Sequence, residues 1–400
     1  MLSMKLDTDW DVDTKARAER VAACFRERFG GEPELWARAP GRVDLMGSHT
    51  DYNLGFVLTL PISRDTWFAA RRRDDGIVRL HTMNLGATDE FKLKDIRPIA
   101  ESRWCNYVRG VAATLQDAGL VLKGCDAVIH STVPVEAGLS SSAALECALA
   151  TVFEGLGDWS MTPERKALLC QKAENEFVGV KCGILDQYSS CLGRAGCALL
   201  LDCRDLSTRR VQIDEGIRVV ICNTMSQRRL SRGEYMQRRS ECEQGAALLG
   251  VTTLREVTAD MLTARRRELP EPASRRCEFI VAENARAVSL AEVLTTGDRP
   301  AVGRLCAESF EGARNLYEIC STAMVAMMDA MLAAPGVIGA RQAGAGFGGC
   351  MVAFVDAERT DAFRTGVLGA YHTATQVVPE VYAVEAANGA AVFNREELCK

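Results

Sequence analysis

The 400-residue sequence lacks the features that mark most redox, metal and membrane proteins. None of its 16 cysteines forms a Cys-x-x-Cys pair, and only 4 histidines occur, which argues against zinc ribbons, thioredoxin-type centres and multi-histidine metal sites. No apolar run reaches the ~20 residues of a bilayer span, and the N-terminus has no signal-peptide block. We therefore expect a cytoplasmic protein whose cysteines are reduced and mostly buried.

A charge excess of either sign is also missing. The 48 Lys and Arg residues against 53 Asp and Glu residues give a net charge of −5, so bulk attraction to nucleic acid or to an anionic membrane is not expected. The length suggests two domains or one bilobal unit. Helical and strand-like segments follow an α+β pattern with mixed sheets rather than regular βαβ alternation. We place a lobe boundary near residue 212, which gives lobes 1–212 and 213–400.

Local patterns predict several elements. Residues 14–29 have the apolar spacing of a helix, and residues 35–39 and 57–62 are strand-like. The sequence ARRRDDGIVRLHT predicts a β-hairpin that turns at Asp75-Gly76. A further helix is expected to begin at Thr162 as its N-cap, with Pro163 in the first helical position.

Three glycine-containing segments could carry function. Residues 38–55, between two strand-like runs, include Arg42, Asp44, Ser48, His49, Asp51 and Asn53. This density of hydrogen-bonding groups suits recognition of a polyhydroxylated ligand, and the alternative is an ordinary polar surface loop. Residues 134–144 place three serines between a predicted strand and a predicted helix, where they could bind a phosphate or cap the helix. The sequence has no Gly-Lys dipeptide, so this segment is not a Walker A loop. Residues 344–349 fit G-x-G-x-x-G, but a strand-like run follows, so we reject a dinucleotide site.

Two acids lie in apolar surroundings. Glu174 falls on the apolar stripe of the predicted helix that begins at Thr162, and Asp186 lies in the segment GILDQ. A carboxylate there is costly unless it meets a cation or a metal. Beside a phosphate-type loop, the two acids suggest Mg²⁺–nucleotide chemistry.

Taken together, these segments resemble the galactokinases of the GHMP kinase superfamily from about residue 35 onward. Residues 41–62, GRVDLMGSHTDYNLGFVLTLPI, are similar to the signature GRVNxIGEHTDYNxGxVLPxAI, and residues 134–146 to PxGxGLSSSAALE. GAGFGGC at 344–350 is similar to GGGFGGC, and the stretches 182–190 with 198–204 and 234–242 also fit. The resemblance implies a two-lobed α+β fold with mixed and antiparallel sheets and an active site in the cleft between the lobes.

The resemblance also implies ATP-dependent phosphorylation of a sugar at its anomeric hydroxyl, with Mg²⁺. Asp186 corresponds to the catalytic base and Arg42 to the neighbouring cation, while Ser142 and Glu174 correspond to the metal ligands. The implied phosphate loop consists of Glu136, Ala137, Gly138, Leu139, Ser140, Ser141 and Ser142. The implied sugar-binding residues are Ser48, His49, Thr50, Asp51, Gly183 and Tyr235. The expected partners are a small sugar and ATP, without nucleic acid or membrane, in a monomer or weak homo-oligomer.

Three positions depart from the family pattern. Asp44 replaces the signature's Asn, Ser48 replaces its Glu, and Glu136 replaces the first glycine of the phosphate loop, where we expect it to face solvent. In galactokinases the Glu approaches the C6 hydroxyl of the sugar, so Ser48 predicts tolerance at C6. Galactose is the expected substrate; L-arabinose, D-galacturonate and N-acetylgalactosamine are alternatives, and so is a non-catalytic sugar and ATP sensor.

Overall fold

The computed structural model describes residues 14–100, 102–135, 137–226 and 231–394, with the backbone alone at residues 231 and 232. The helices are α1 (Thr14–Phe29), α2 (Arg103–Asp117), α3 (Ser141–Leu156), α4 (Pro163–Lys172), α5 (Leu185–Leu192), α6 (Ser231–Leu248), α7 (Ala259–Arg265), α8 (Ala273–Thr296), α9 (Arg299–Asn315), α10 (Thr322–Ala333) and α11 (Thr360–Thr375). The strands are β1 (Leu35–Met46), β2 (Phe56–Arg73), β3 (Ile77–Thr82), β4 (Ala87–Lys92), β5 (Gly124–Ser131), β6 (Cys197–Asp202), β7 (Thr208–Gln212), β8 (Ile217–Asn223), β9 (Val337–Gln342), β10 (Cys350–Asp356), β11 (Glu380–Val384) and β12 (Ala391–Phe393).

The strands form two sheets. The larger sheet has the order β12-β1-β2-β5-β3-β4, with β6 and β7 attached beside β2, and only the β3–β5 pair is parallel. The smaller sheet is antiparallel, in the order β11-β8-β10-β9. The α+β fold with mixed and antiparallel sheets that the sequence predicts is therefore confirmed.

Two apolar cores flank the larger sheet. On one side, helices α2 to α5 pack against the inward side chains of β1, β2 and β5, with Phe68 and Phe153 fully buried. On the other side, Val43 and Leu60 of the larger sheet share a core with Ile221 of the smaller one and with helix α8. The site described below lies where β1, the start of α3 and the start of α5 come together.

Several local predictions are confirmed. Helix α1 spans the predicted residues, and the side chain of Thr162 caps α4 by accepting a hydrogen bond from the Arg165 amide. The glycine segment 344–349 leads into strand β10, as the sequence predicts, and not into the helix that a dinucleotide-binding loop requires. Where the predicted helix beginning at Thr162 was expected to continue, α4 gives way to a π-helical turn, Ala173–Val178, a feature often found at functional sites.

The predicted hairpin at Asp75-Gly76 is wrong. Strands β2 and β3 lie on opposite sides of β5, where Arg73 pairs with Gly124 and Val78 pairs with Cys125. The turn thus crosses the end of β5. Strand β3 pairs with β5 in parallel and does not pair with β2 as the hairpin would require. Local turn chemistry does not report a distant strand that inserts between two consecutive ones.

The predicted division near residue 212 falls between β7 and β8, which belong to different sheets. The last described strand, β12, returns to the larger sheet and pairs with β1. The two-lobe division stays a prediction. Among the described residues, we find no helix with the length and apolar character needed to cross a membrane.

Candidate active site

Two adjoining cavities open at the junction of β1, α3 and α5. The larger has a volume of about 640 Å³ and the smaller about 470 Å³. The two cavities share part of their wall, which consists of Arg42, Arg103, Asp186, Gly344 and Ala345. A group that lies on this shared wall can reach molecules bound in either cavity.

The acid on the shared wall is Asp186, in the first turn of α5. Its Oδ1 accepts hydrogen bonds from Nε and Nη2 of Arg42 at 2.8 and 2.5 Å. Arg42 is nearly buried on β1, next to a register shift, whereas the side chain of Asp186 is 24% exposed. Bulges of this kind often re-aim side chains near active sites. The ion pair therefore holds a carboxylate that still faces the cavities.

Residues 137–142, the serine loop, contribute to the wall of the larger cavity. Helix α3 begins at Ser141, and its N-cap Ser140 adopts the left-handed conformation (φ 59°), as does Gly138 (φ 83°). Gly138, Ser140, Ser141 and Ser142 line the cavity. The buried hydroxyl of Ser140 has no hydrogen-bond partner among the described residues. A helix N-terminus with a free hydroxyl suits a phosphate group.

Hydrogen bonds fix the serine loop to both sheets. Arg42 donates from its amide to the Leu139 carbonyl (3.1 Å) and from Nη1 to the Gly138 carbonyl (2.7 Å). The Cys350 amide of β10 donates to the Ala137 carbonyl. Leu139 is buried in the core and does not line either cavity. The prediction that Glu136 faces solvent lies outside the described residues.

Four of the six predicted sugar-binding residues line the smaller cavity: His49, Asp51, Gly183 and Tyr235. Asp51 begins the 3₁₀ turn Asp51–Asn53, and burial, with the charges of Asp186 and Asp44, raises the pKa of Asp51 to about 6. Gly183 leaves room for Asp51, since a Cβ there would lie 1.8 Å from Asp51 Oδ2. The cavity thus brings three carboxylates, Asp44, Asp51 and Asp186, to one small pocket.

Ser48 and Thr50 do not line the smaller cavity, and the placement of Ser48 against a sugar C6 hydroxyl stays a prediction. The Ser48 hydroxyl donates to Asp44 Oδ2 (2.6 Å) and accepts from Nη2 of Arg341 (2.9 Å). The Thr50 hydroxyl is within hydrogen-bond distance of the carbonyls of Gly47 and Phe56. Buried polar side chains turn toward partners inside the protein, and the arginine of β9 was not visible as a partner in the local sequence.

Glu174, the acid predicted to hold a metal together with Ser142, lies beside that serine. Burial and the charge of Asp186 raise the pKa of Glu174, while the Ser142 hydroxyl and the Gln187 amide oppose that shift. Gln187 Nε2 also donates to Glu146, whose Oε1 has no partner among the described residues. None of the described Lys or Arg side chains forms a salt bridge with either glutamate. Such a set of oxygen donors, short of positive charge, fits Mg²⁺.

Sequence reasoning missed the wall of the larger cavity that α2 provides. Arg103, Trp104 and Tyr107 line it, with Asn84 and Leu85 from the turn after β3. Burial raises the pKa of Tyr107 to about 12, so its hydroxyl stays protonated at neutral pH. The spacing of Trp104 and Tyr107 in the sequence could have indicated this wall, because residues three apart in a helix lie on one face.

Comparison with known proteins identifies relatives along most of the chain. Residues 23–72 match the galactokinase galactose-binding signature, residues 106–194 the GHMP kinases N terminal domain, and residues 289–371 the GHMP kinases C terminal model. A galactokinase of Roseiflexus sp. (strain RS-1) is 42% identical over 383 residues, which cover 94% of this chain and 97% of the relative. A human galactokinase is 41% identical over 378 residues, covering 92% and 95%.

Solved structures agree with this result. The crystal structure of Lactococcus lactis galactokinase complexed with galactose superposes with a TM-score of 0.88 at 30% identity, covering 92% of this chain and 98% of that one. A mevalonate kinase aligns with a TM-score of 0.62 at 15% identity over 89% of this chain and 100% of that one, which shows a shared fold alone.

Proposed function

Because this chain belongs to the galactokinase family, we propose that it transfers the γ-phosphoryl group of ATP to the anomeric hydroxyl of galactose, giving galactose 1-phosphate and ADP. The observation that carries the proposal is the position of Asp186 on the wall shared by both cavities, held there by Arg42. Galactose in the smaller cavity and ATP in the larger one would meet at this residue.

Asp186 acts as the general base in this proposal. A sugar hydroxyl is a weak nucleophile, and a carboxylate within hydrogen-bond reach takes its proton as the phosphoryl group moves. Arg42 donates two hydrogen bonds to Oδ1 of Asp186, which hold the carboxylate on the shared wall. The same guanidinium lies beside the serine loop, where it would offset charge on the transferred group.

The serine loop would bind the phosphates of ATP through the N-terminus of α3 and the hydroxyls of Ser140 and Ser141. Ser142 and Glu174 would hold Mg²⁺, whose chemistry when bound is to neutralise charge on the phosphate oxygens. Trp104 and Tyr107 give the larger cavity flat apolar surface that suits the adenine ring. The support for ATP is therefore a cavity with both a phosphate-binding end and an aromatic wall.

Asp51, Tyr235 and the backbone at Gly183 would bind the ring hydroxyls of the sugar. The named galactokinase relatives and the galactose-bound neighbour favour galactose over arabinose, galacturonate or N-acetylgalactosamine. The serine loop SSSAA favours an enzyme over a non-catalytic sensor.

The test is coupled ADP release with ATP and Mg²⁺, using galactose, arabinose, galacturonate, fucose and N-acetylgalactosamine side by side. We expect the highest kcat/KM with galactose. Asp186→Asn keeps the size of the side chain but weakens its ability to take a proton, so we expect at least a hundredfold loss of kcat, on the order that a general base contributes. Nucleotide binding by the variant, measured by calorimetry, should stay within about threefold of the parent. Absence of ADP release from the parent with every sugar would support the sensor instead.

A further inference from the structure

His49 is surrounded by partners that use both of its ring nitrogens. Nε2 lies 3.0 Å from the carbonyl oxygen of Ala345, and Nδ1 lies 2.8 Å from the hydroxyl of Tyr52. A carbonyl oxygen only accepts, so Nε2 carries the proton. Burial lowers the pKa of His49 to about 4, so the ring is neutral near pH 7 and Nδ1 accepts from Tyr52. His49 therefore has no ring nitrogen free for a hydrogen bond to the sugar.

The hydrogen bonds behind His49 have a defined direction. The single proton of the Tyr52 hydroxyl is given to His49, so the Tyr52 oxygen accepts from Tyr317, 2.8 Å away. The Tyr317 oxygen in turn accepts from the thiol of Cys242 at 3.1 Å. These side chains are buried or half-buried, and the aromatic rings pack edge to face or tilted. This series of hydrogen bonds, from Cys242 of α6 to His49, keeps the imidazole in one orientation.

The carbonyl oxygen of Ala345, to which His49 donates, belongs to the segment that separates the two cavities. Gly344 and Ala345 line both cavities. The glycine segment 344–349, called the glycine loop below, is anchored near its ends. The Phe347 amide donates to the Ile319 carbonyl, and the Ala343 amide donates to the Cys350 carbonyl. For residues 344–346 themselves, the bond from His49 is the only hydrogen bond among the described residues. Gly344 has space around it, since a Cβ there would come no closer than 3.6 Å to the Gly138 carbonyl.

We propose that His49 is a positioning residue, which holds the backbone of Gly344 and Ala345 at the shared wall and thereby shapes the ATP and galactose sites together. The proposal rests on the proposed function, because it assigns one substrate to each cavity. It differs from a direct sugar contact in what it predicts. Loss of a sugar contact weakens galactose binding alone, whereas displacement of the shared wall weakens the binding of both substrates and lowers kcat.

The test compares His49→Asn with His49→Gln. The Gln amide nitrogen can reach the position of Nε2 and donate to Ala345, whereas the shorter Asn side chain cannot. Position 49 has a positive φ (66°), which Asn tolerates well, so backbone strain does not explain a defect in that variant. We expect His49→Asn to raise KM for ATP and KM for galactose by about tenfold each, on the scale of one lost hydrogen bond, and to lower kcat. His49→Gln should keep both KM values within about threefold of the parent.

Two further variants are measured beside the His49 variants, one as a control and one as a second change in the same hydrogen bonds. His130→Asn alters another buried histidine, which accepts from Arg17 outside both cavities, and should leave both KM values unchanged. Tyr52→Phe removes the donor to Nδ1 and should raise both KM values in the same ratio as His49→Asn, but by less. Thermal unfolding is measured for each variant, so a loss of folded protein is recognised.

Three outcomes would overturn the proposal. A rise in KM for galactose alone in His49→Asn would mean that the imidazole contacts the sugar. No change in either KM would mean that the glycine loop does not depend on His49. Equal damage in His49→Gln and His49→Asn, with both folded, would mean that the Nε2 donor is not the essential group. Failure of the proposed function would be seen separately, as absence of ADP release by the parent protein with galactose.

Discussion

Gly183 offers a sharp test of the proposal that the smaller cavity binds the sugar. An ideal Cβ at this position lies 1.8 Å from Asp51 Oδ2 and 2.6 Å from Asp51 Cγ, well inside any contact that real atoms make. The φ angle of Gly183 is outside the left-handed region, so alanine does not strain the backbone. The change Gly183→Ala therefore acts through one event, the displacement of the Asp51 carboxylate from its place in the cavity.

The size of the effect follows from that displacement. To restore ordinary contact, the carboxylate must move by more than about 1 Å, which exceeds the width of the hydrogen-bond distance range. A hydrogen bond to a charged group contributes about 1.5–3 kcal/mol, or roughly 10- to 100-fold in KM for galactose. The cost in folding is expected to be small, because the atoms that move are the free end of a side chain. KM for ATP should change by less than about threefold, since Gly183 and Asp51 do not line the larger cavity.

The assay is steady-state ADP release with each substrate varied in turn, together with thermal unfolding. Gly369→Ala is the matched control, because Gly369 lies on an exposed face of α11 with nothing within 4 Å of the added Cβ. That control should retain both KM values and gain a little stability from better helix propensity. A KM for galactose within threefold of the parent in Gly183→Ala would refute the assignment of Asp51 to the sugar.

Two other predictions concern the metal and pH. Ser142→Ala and Glu174→Gln should each raise the Mg²⁺ concentration for half-maximal activity by about tenfold, because each weakens or removes an oxygen ligand, and an unchanged Mg²⁺ titration in both would place the ion elsewhere. Because burial raises the pKa of Asp51 to about 6 and only its ionised form accepts a sugar hydroxyl well, kcat/KM for galactose should fall about tenfold per pH unit below that value. The Asp51→Asn variant, although weaker, should lose this dependence, and retention of the same acidic limb would contradict the assignment to Asp51.

The elements of the fold were predictable where the signal is local. Apolar spacing located α1, and the Thr162–Pro163 pair located the start of α4, because capping and periodicity act over a few residues. The order of the strands was not predictable in the same way. The insertion of β5 between β2 and β3 depends on a segment about 50 residues away along the chain. Turn residues around Gly76 are compatible with either arrangement.

The departures at positions 44 and 48 show why the site was only partly predictable. Taken separately, a serine at 48 suggested a missing contact to the sugar, and an aspartate at 44 was a departure that could accompany a different sugar. In the structure the Ser48 hydroxyl donates a hydrogen bond to Asp44. Arg341 of β9 lies 3.9 Å from Asp44 Oδ1 and also forms a salt bridge with Glu283 of α8. A buried arginine needs negative charge nearby, and Glu283 supplies it at 2.8 Å from Arg341. Burial raises the pKa of Asp44, which lies farther from the guanidinium and accepts a hydrogen bond from Ser48. Asp44 and Ser48 are therefore better understood as one buried hydrogen-bonded unit with Arg341, at the edge of the smaller cavity, than as two separate changes.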